Sequence, residues 1–242
     1  MNFVRASVFG VFQLVVTVFF AFVVLATFPF SRRTRYMSTT GWTRTLMWGA
    51  RVIYGIRYQV IGAENIPAGQ QVMVCSKHSS TCETLVLNFL FAPAAFIAKR
   101  ELLFLPFFGW GFALASPITI DRSAGAQAMS QMVTQGKARV ADGFNIVIFP
   151  EGTRIPAGKR GKYKTGAARL AIGINAEGTK LPILPIAHNA GYLWPKKGAK
   201  RSGTITISIL PPIEPGGWEM QALTNEVERV IEDETARLGV PS

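Results

Sequence analysis

The pattern of apolar and polar positions changes character twice along the chain. Between Arg5 and Arg32 lie 26 residues without a charge, and residues 8–30 (VFGVFQLVVTVFFAFVVLATFPF) are almost wholly apolar. About 20 such residues, at a helical rise of ~1.5 Å each, match a hydrocarbon core roughly 30 Å thick. A signal peptide has a shorter apolar stretch, about 7–15 residues, followed by a small-x-small cleavage site. Here the run ends in Phe28-Pro29-Phe30 and then Ser31-Arg32-Arg33-Thr34-Arg35, which suits a stop better than a cleavage site. The pattern predicts a retained N-terminal helical membrane anchor. Its C-terminal basic flank outweighs Arg5, which predicts an inner-membrane protein with the rest of the chain on the cytoplasmic side. Residues 38–57 predict a second helix, with Trp42, Leu46 and Ile53 on an apolar face and Arg44, Arg51 and Arg57 on a basic one. Such a helix lies in the membrane interface or serves the core of the following domain; both readings stand. Hydropathy also leaves open whether the two helices span the bilayer or enter one side of it.

From Tyr58 onward short β-rich runs alternate with helical ones. Strands are predicted at 58–61, 71–77, 94–98, 117–121, 145–149, 183–187 and 204–210, and helices at 81–91, 101–105, 124–141, 165–175 and 218–238. This alternation predicts an α/β fold, a mixed, largely parallel sheet flanked by helices, whose buried strands read as continuous apolar runs. The organisation expected is an anchor and interfacial helix over 1–57 and one catalytic-type domain over 58–242.

Composition narrows the classes. The 242 residues are 49% hydrophobic and 17% charged, which excludes a disordered chain. The formal charge of +12 invites nucleic acid as partner, but the hydrophobicity argues against it and for anionic membrane lipids. The charge is uneven. The 29 residues from Glu214 hold seven of the 14 acids and only Arg229 and Arg237, so this tail carries −5 and the rest of the chain +17. Two cysteines, Cys75 and Cys82, make no disulfide framework and suit a reducing compartment.

Three clusters bear chemistry. The predicted strand 71–77 runs into Lys77-His78-Ser79-Ser80-Thr81-Cys82-Glu83 and a helix. Ligands of open α/β sheets bind at the carboxyl ends of strands, where His78 sits. On one continuous helix residues five apart point roughly 140° from each other. His78 and Glu83 therefore pair only if His78 lies in the turn and folds back on the helix's first turn. The same residues also form a capping box, Ser80-x-x-Glu83, with no catalytic duty. Cys75, His78 and Cys82 are three conceivable zinc ligands lacking a fourth. The second cluster, Phe149-Pro150-Glu151-Gly152-Thr153-Arg154, follows another strand, and the basic run Lys159, Arg160, Lys162, Lys164 and Arg169 comes next without an acid. It is either a solvated face or an anion funnel. The third comprises Lys99 and Arg122, each after a strand, separated by the aromatic stretch 104–112 that is expected to be core packing. No G-x-S-x-G elbow, dinucleotide fingerprint or P-loop is present.

Taken in order, KHSSTCE, KRELLFLPFFGWG, SPITIDR, FPEGTR and LPILPIAHNAG resemble the motif series of the 1-acylglycerol-3-phosphate acyltransferases over roughly residues 58–212. The resemblance implies that His78 is a general base oriented by Glu83, where the common pattern has Asp. It implies that Lys99, Arg122, Glu151, Gly152, Thr153 and Arg154, with Lys164, hold the phosphate and glycerol of lysophosphatidic acid. It places residues 181–186 beside the acyl donor, acyl-CoA or acyl-carrier protein, and calls for no cofactor and no metal. The expected reaction gives phosphatidic acid in phospholipid biosynthesis. Acylation of another lysolipid, thioester hydrolysis and non-catalytic lipid binding are the alternatives.

Overall fold

In the computed structural model, which describes residues 2–121, 125–176 and 178–241, the chain opens with two long helices. Helix α1 runs Asn2–Ala26 and α2 runs Arg32–Tyr54. Helix α2 starts six residues ahead of the expected 38 because Ser31 caps it, accepting the Thr34 N–H at 3.2 Å. Gly55, at φ 73, closes it in a left-handed turn and delivers the chain directly into strand β1, Ile56–Ile61. That handover puts the strand two residues ahead of its expected start at 58.

The body then follows as β2 (Met73–Ser76), α3 (Cys82–Leu90), β3 (Ala94–Lys99), a 3₁₀ turn at Arg100–Phe104, α4 (Phe108–Leu114), β4 (Ile118–Ile120), α5 (Gly125–Ala141), β5 (Asn145–Ile148), α6 (Gly166–Asn175), β6 (Ile183–His188), the single turn α7 (Ala190–Leu193), β7 (Gly203–Ile209) and α8 (Met220–Leu238). The seven strands form one sheet in the order β1-β7-β6-β2-β5-β3-β4. Every pair is parallel except β6 with β7, so the sheet is mixed and largely parallel, as the alternation requires. Met73 of β2 is paired with Ile183 of β6 on one side and Ile146 of β5 on the other. Strand β2 is thus central, and its C-terminal end lies beside that of β5. Residues of β2 and β6 are buried on both faces, which explains their unbroken apolar runs.

Helix α2 is a core helix along one side. Tyr36, Leu46, Met47, Ala50 and Tyr54 are buried, and Thr43 donates to the Asn88 side chain of α3 at 2.9 Å. Of the face expected from the sequence only Leu46 is fully buried. Thr39, Thr40 and Thr43 occupy the buried face instead, their hydroxyls satisfied by carbonyls three residues earlier. The opposite face leaves Arg44, Trp48, Arg51 and Val52 exposed.

Helix α1 lies against α2 through two glycines. A Cβ at Gly41 would meet the Phe20 ring at 2.6 Å, and one at Gly49 would overlap the Phe12 ring. Near its start, Phe9 packs edge-on against Tyr54 and Trp194, both 5.5 Å between centroids; near its end, Ala21 and Val24 are buried. The helix therefore touches the body at both ends. The rest of its surface, with Phe3, Val11, Leu14, Val15, Phe19 and Phe22, is exposed and apolar, and Phe3–Ala26 is long enough to cross a membrane.

The aromatic stretch 104–112 is core only in part, through Phe112, which packs half-buried against it. It holds helix α4, which the sequence reading lacked, and Phe104, Leu105 and Trp110 are exposed while Phe108 packs on Trp42 of α2 at 5.8 Å. In helix α4 itself only Gly109 is buried. Helix α8 closes the other side with Leu223, Val227 and Ile231, spaced four apart on one stripe.

Candidate active site

His78 stands in the turn after β2, and the turn folds it back onto the first turn of α3. Its Nδ1 lies 2.9 Å from Glu83 Oε1. The same oxygen accepts the Ser79 N–H at 3.1 Å and the Ser80 N–H at 2.9 Å, while Ser80 Oγ accepts the Cys82 N–H at 3.0 Å. The capping box and the dyad are one structure: the carboxylate that caps the helix also holds the imidazole. Burial opposes charge on Glu83, but the fields of His188 and His78, the His78 hydrogen bond and the Ser80 N–H outweigh it, so the carboxyl sits below its ordinary range. With Nδ1 held, Nε2 is the nitrogen left to act, and it has no hydrogen-bond partner among the described residues. The ring is stacked on Phe149 at 4.0 Å and 20°.

Behind the ring, the backbone of His78 is gripped from the β5 turn. Its N–H donates to Glu151 Oε2 at 2.6 Å, and its carbonyl accepts the Ile155 N–H at 2.8 Å. Gly152 makes that turn possible at φ 68, a conformation other residues adopt only with strain. Arg154 crosses to α3 and donates to Thr81 Oγ1 at 2.9 Å. A cavity of about 970 Å³ opens in front. His78, Lys99, Gly152, Thr153, Arg154 and Lys164 line it, and so do Phe20, Ala21 and Val24 of α1, Trp42 of α2, Phe96 of β3, and Phe108 and Phe112 of α4. One space thus joins a base and four cations, Lys99, Arg154, Lys164 and Lys196, to an apolar lining that the N-terminal helices complete.

The family model described as Acyltransferase matches residues 57–189. The chain is 44% identical over 210 residues to a Pseudomonas aeruginosa protein named 1-acyl-sn-glycerol-3-phosphate acyltransferase, covering 86% of this chain and 79% of that one. The chain belongs to this acyltransferase family. A coconut (Cocos nucifera) relative of the same name is 29% identical, with 86% of this chain and 65% of that protein covered. The solved structure of PlsC from Thermotoga maritima, a 1-acyl-sn-glycerophosphate (LPA) acyltransferase, superposes with a TM-score of 0.80 at 24% identity, covering 98% of this chain and 95% of that one, and shows the shared fold.

In this acyltransferase the structure gathers most, not all, of the residues expected from sequence. Lys99, Gly152, Thr153, Arg154 and Lys164 share the cavity with His78. Glu151 does not line it. It is buried beside Lys77, whose Nζ lies 3.0 Å away, and holds the backbone of His78. Burial pushes the Glu151 carboxyl up, Lys77 and the His78 N–H pull against that, and Glu232 adds to it. Arg122 lies outside the described residues. Residues 181–186 do not line the cavity either: they enter β6 at the centre of the sheet, where apolar side chains belong to the core. Cys75, His78 and Cys82 do not converge on a metal. Cys82 Sγ packs on Met47 Sδ at 3.7 Å, and no cluster of three metal-ligand side chains occurs among the described residues.

Four buried residues of this acyltransferase, and Lys196 on the cavity wall, escaped the sequence reading. Lys77, fully enclosed, donates to Glu232 of α8 at 2.6 Å and to the Lys159 carbonyl at 3.2 Å. Tyr163 donates to the same Glu232 oxygen at 3.0 Å. His188 sits at the end of β6 with Nε2 at 2.8 Å from the Lys77 carbonyl and Nδ1 accepting the Ala190 N–H at 3.2 Å, a pattern that fixes the Nε2–H tautomer. Burial keeps its pKa below the ordinary value, so it is uncharged at neutral pH, and its field acts on Glu83 only where it protonates in the acid range. A polar residue closing an apolar strand was the available signal for Lys77; nothing in the spacing pointed to Glu232, 155 positions away.

Proposed function

We propose that this protein transfers a fatty acyl group from a thioester donor, acyl-CoA or acyl-carrier protein, to the free hydroxyl of 1-acylglycerol 3-phosphate at a membrane surface. The single observation that carries this reading is the junction in one cavity of an imidazole with a free Nε2, four cationic side chains, and an apolar lining continuous with α1. The name of the Pseudomonas relative supports it.

An alcohol is a weak nucleophile until its proton has somewhere to go. His78 Nε2 accepts that proton as the hydroxyl oxygen bonds to the thioester carbonyl carbon, a form of catalysis worth about 10²–10⁴ in rate. Glu83 holds Nδ1–H and stabilises the imidazolium that forms. Collapse of the tetrahedral intermediate breaks the carbon–sulfur bond, and the leaving thiolate takes the proton from His78. Ester and thiol are produced, and the step balances without a cofactor or an acylated side chain. Lys99, Arg154 and Lys164 provide charge for the acceptor's phosphate, which brings its hydroxyl to His78 and replaces a bimolecular encounter by positioning. The apolar lining takes acyl chains. The arginines after α1 favour a cytoplasmic catalytic face, where soluble donors are found.

Purified full-length protein, labelled acyl-CoA or acyl-carrier protein, and a panel of 1-acylglycerol 3-phosphate, lysophosphatidylcholine and glycerol 3-phosphate test the proposal. Transfer to 1-acylglycerol 3-phosphate is expected, with His78→Ala at least 10²-fold slower and still membrane-bound. Near-normal turnover by His78→Ala would overturn the mechanism. Release of free fatty acid regardless of acceptor would identify a hydrolase instead.

A further inference from the structure

A second cavity of about 330 Å³ shares only Pro117 with the first. Arg32 and Arg35 enter it from the first turn of α2, and Arg139 from the last turn of α5, with Ser116, Thr119 and Gln135 between them. The three guanidinium groups face one described carboxylate. Asp142 lies 2.6 Å from Arg32 and 3.5 Å from Arg139, and Arg139 Nε is spent on the Ser116 carbonyl at 2.9 Å. Arg35 pairs with no carboxylate among the described residues. Its guanidinium carbon Cζ lies over the Phe28 ring at 5.9 Å, and its Nε is buried without a hydrogen-bond partner among the described residues.

Two physical costs meet here. A buried N–H left unsatisfied costs free energy, and more so on a charged group. The N-terminal end of a helix is already positive by its dipole and favours acids, yet the first turn of α2 has no acid and three arginines. One anion in the cleft would relieve both. Phe28 and Phe30 in the turn between α1 and α2, and Phe104 in the 3₁₀ turn that also holds Leu103 of the cleft, are exposed, which supplies an apolar setting for an anion that carries chains.

We infer that the Arg32–Arg35–Arg139 cleft binds the phosphate of an anionic membrane phospholipid at a site separate from the His78 cavity. Forked guanidinium groups match phosphate oxygens, which an ammonium does not do. Bound there, the lipid would fix the junction of α1 and α2 against α5 and so set how the body sits at the membrane. The inference rests on the membrane reading of α1 and is independent of acyl transfer.

Full-length protein in neutral detergent micelles, titrated calorimetrically with short-chain phosphatidylglycerol and with short-chain phosphatidylcholine, tests it. Saturable binding of the anionic lipid alone is expected. Arg35→Gln should weaken it about tenfold or more, while Arg33→Gln, the same charge removed from an exposed neighbour outside the cleft, should change it less than about twofold. Arg35→Lys keeps the charge but lacks the buried Nε–H; it should lose several-fold and serves if Arg35→Gln does not fold. Competition by inorganic phosphate would show that the headgroup phosphate suffices. Lipid binding that phosphate fails to displace but Arg35→Gln weakens would assign the whole lipid as ligand. Absence of saturable binding, or equal losses in Arg33→Gln and Arg35→Gln, would overturn the site and leave only diffuse surface charge. Acyl transfer by the wild-type protein in micelles free of anionic lipid reads the catalytic proposal separately.

Discussion

Glu83 carries three hydrogen bonds on one oxygen, and that economy has consequences for pH. Its carboxyl lies below its ordinary range in the folded protein. It therefore contributes stability above the unfolded value of about 4.3, and loses that contribution as pH falls through the lower folded value. Thermal unfolding of Glu83→Gln should lose Tm less steeply than wild type across that acid window, because the group that titrates is gone. Its turnover should fall about 10²–10⁴-fold, since a neutral amide neither enforces the Nδ1–H tautomer nor stabilises imidazolium. An unchanged acid slope would show that Glu83 is not held below its ordinary value. Spacing alone left two uses for this residue, a cap or a catalytic partner. The choice was false, because a carboxylate at the second position of α3 reaches both the backbone N–H groups of the turn and an imidazole folded back over them.

Helices do two kinds of work around the site. The α1–α2 pair depends on Gly41 and Gly49, two turns apart, which receive the rings of Phe20 and Phe12. Gly49→Leu should force the helices apart at a cost of about 1–3 kcal/mol, read as a lower Tm in detergent. Activity should fall as well, because Phe20, Ala21 and Val24 line the His78 cavity. Helix α8 acts from the opposite side of the sheet. Glu232 neutralises Lys77, Lys77 neutralises Glu151, and Glu151 holds the N–H of His78. Glu232→Gln leaves Lys77 with a single carboxylate and should cost about 1–3 kcal/mol by denaturant unfolding, with kcat falling while KM changes little, since the cavity cations are untouched. Glu232→Asp should recover part of both losses. A large rise in KM with kcat unchanged would place Glu232 in acceptor binding instead.

At the scale of the whole molecule the separation of charge acquires a purpose. The acidic tail is partly spent on itself, in Arg229–Glu226 and Arg237–Glu234 pairs that contribute little at the surface, and partly on the body through Arg160–Glu228 and Lys77–Glu232. What remains positive lies on the body and beside the apolar surface of α1. Surface Lys or Arg near an anionic bilayer adds about 1 kcal/mol each, within a Debye length of about 10 Å at 0.1 M salt and 3 Å at 1 M. Binding of full-length protein to vesicles rich in phosphatidylglycerol should exceed binding to neutral vesicles at 0.1 M salt, and the difference should vanish near 1 M while the apolar component persists. Equal binding to both at low salt would deny the basic surface a role.

Much of this was written in local chemistry. The apolar runs of β2 and β6 and the uncharged 8–30 segment follow from periodicity, which acts over a few residues, and they determined an α/β domain behind an apolar helix; the Ser31 cap and the left-handed Gly55, though local, moved α2 off its expected 38–57. The strand-end positions of His78 and of the Glu151–Arg154 turn followed equally, since open sheets present ligands at those ends. Tertiary structure alone decided which helix face is buried, because the buried threonines of α2 read as polar until their hydroxyls find backbone carbonyls and Asn88. It decided that the aromatic stretch divides around α4, with Phe108 and Phe112 toward the cavity and Phe104 and Trp110 toward solvent, because composition measures apolarity and not the direction in which a side chain points. It alone connected Glu232 to Lys77 and Glu151 to His78, since a buried ion pair depends on distance in space, and no local rule relates residues 155 positions apart.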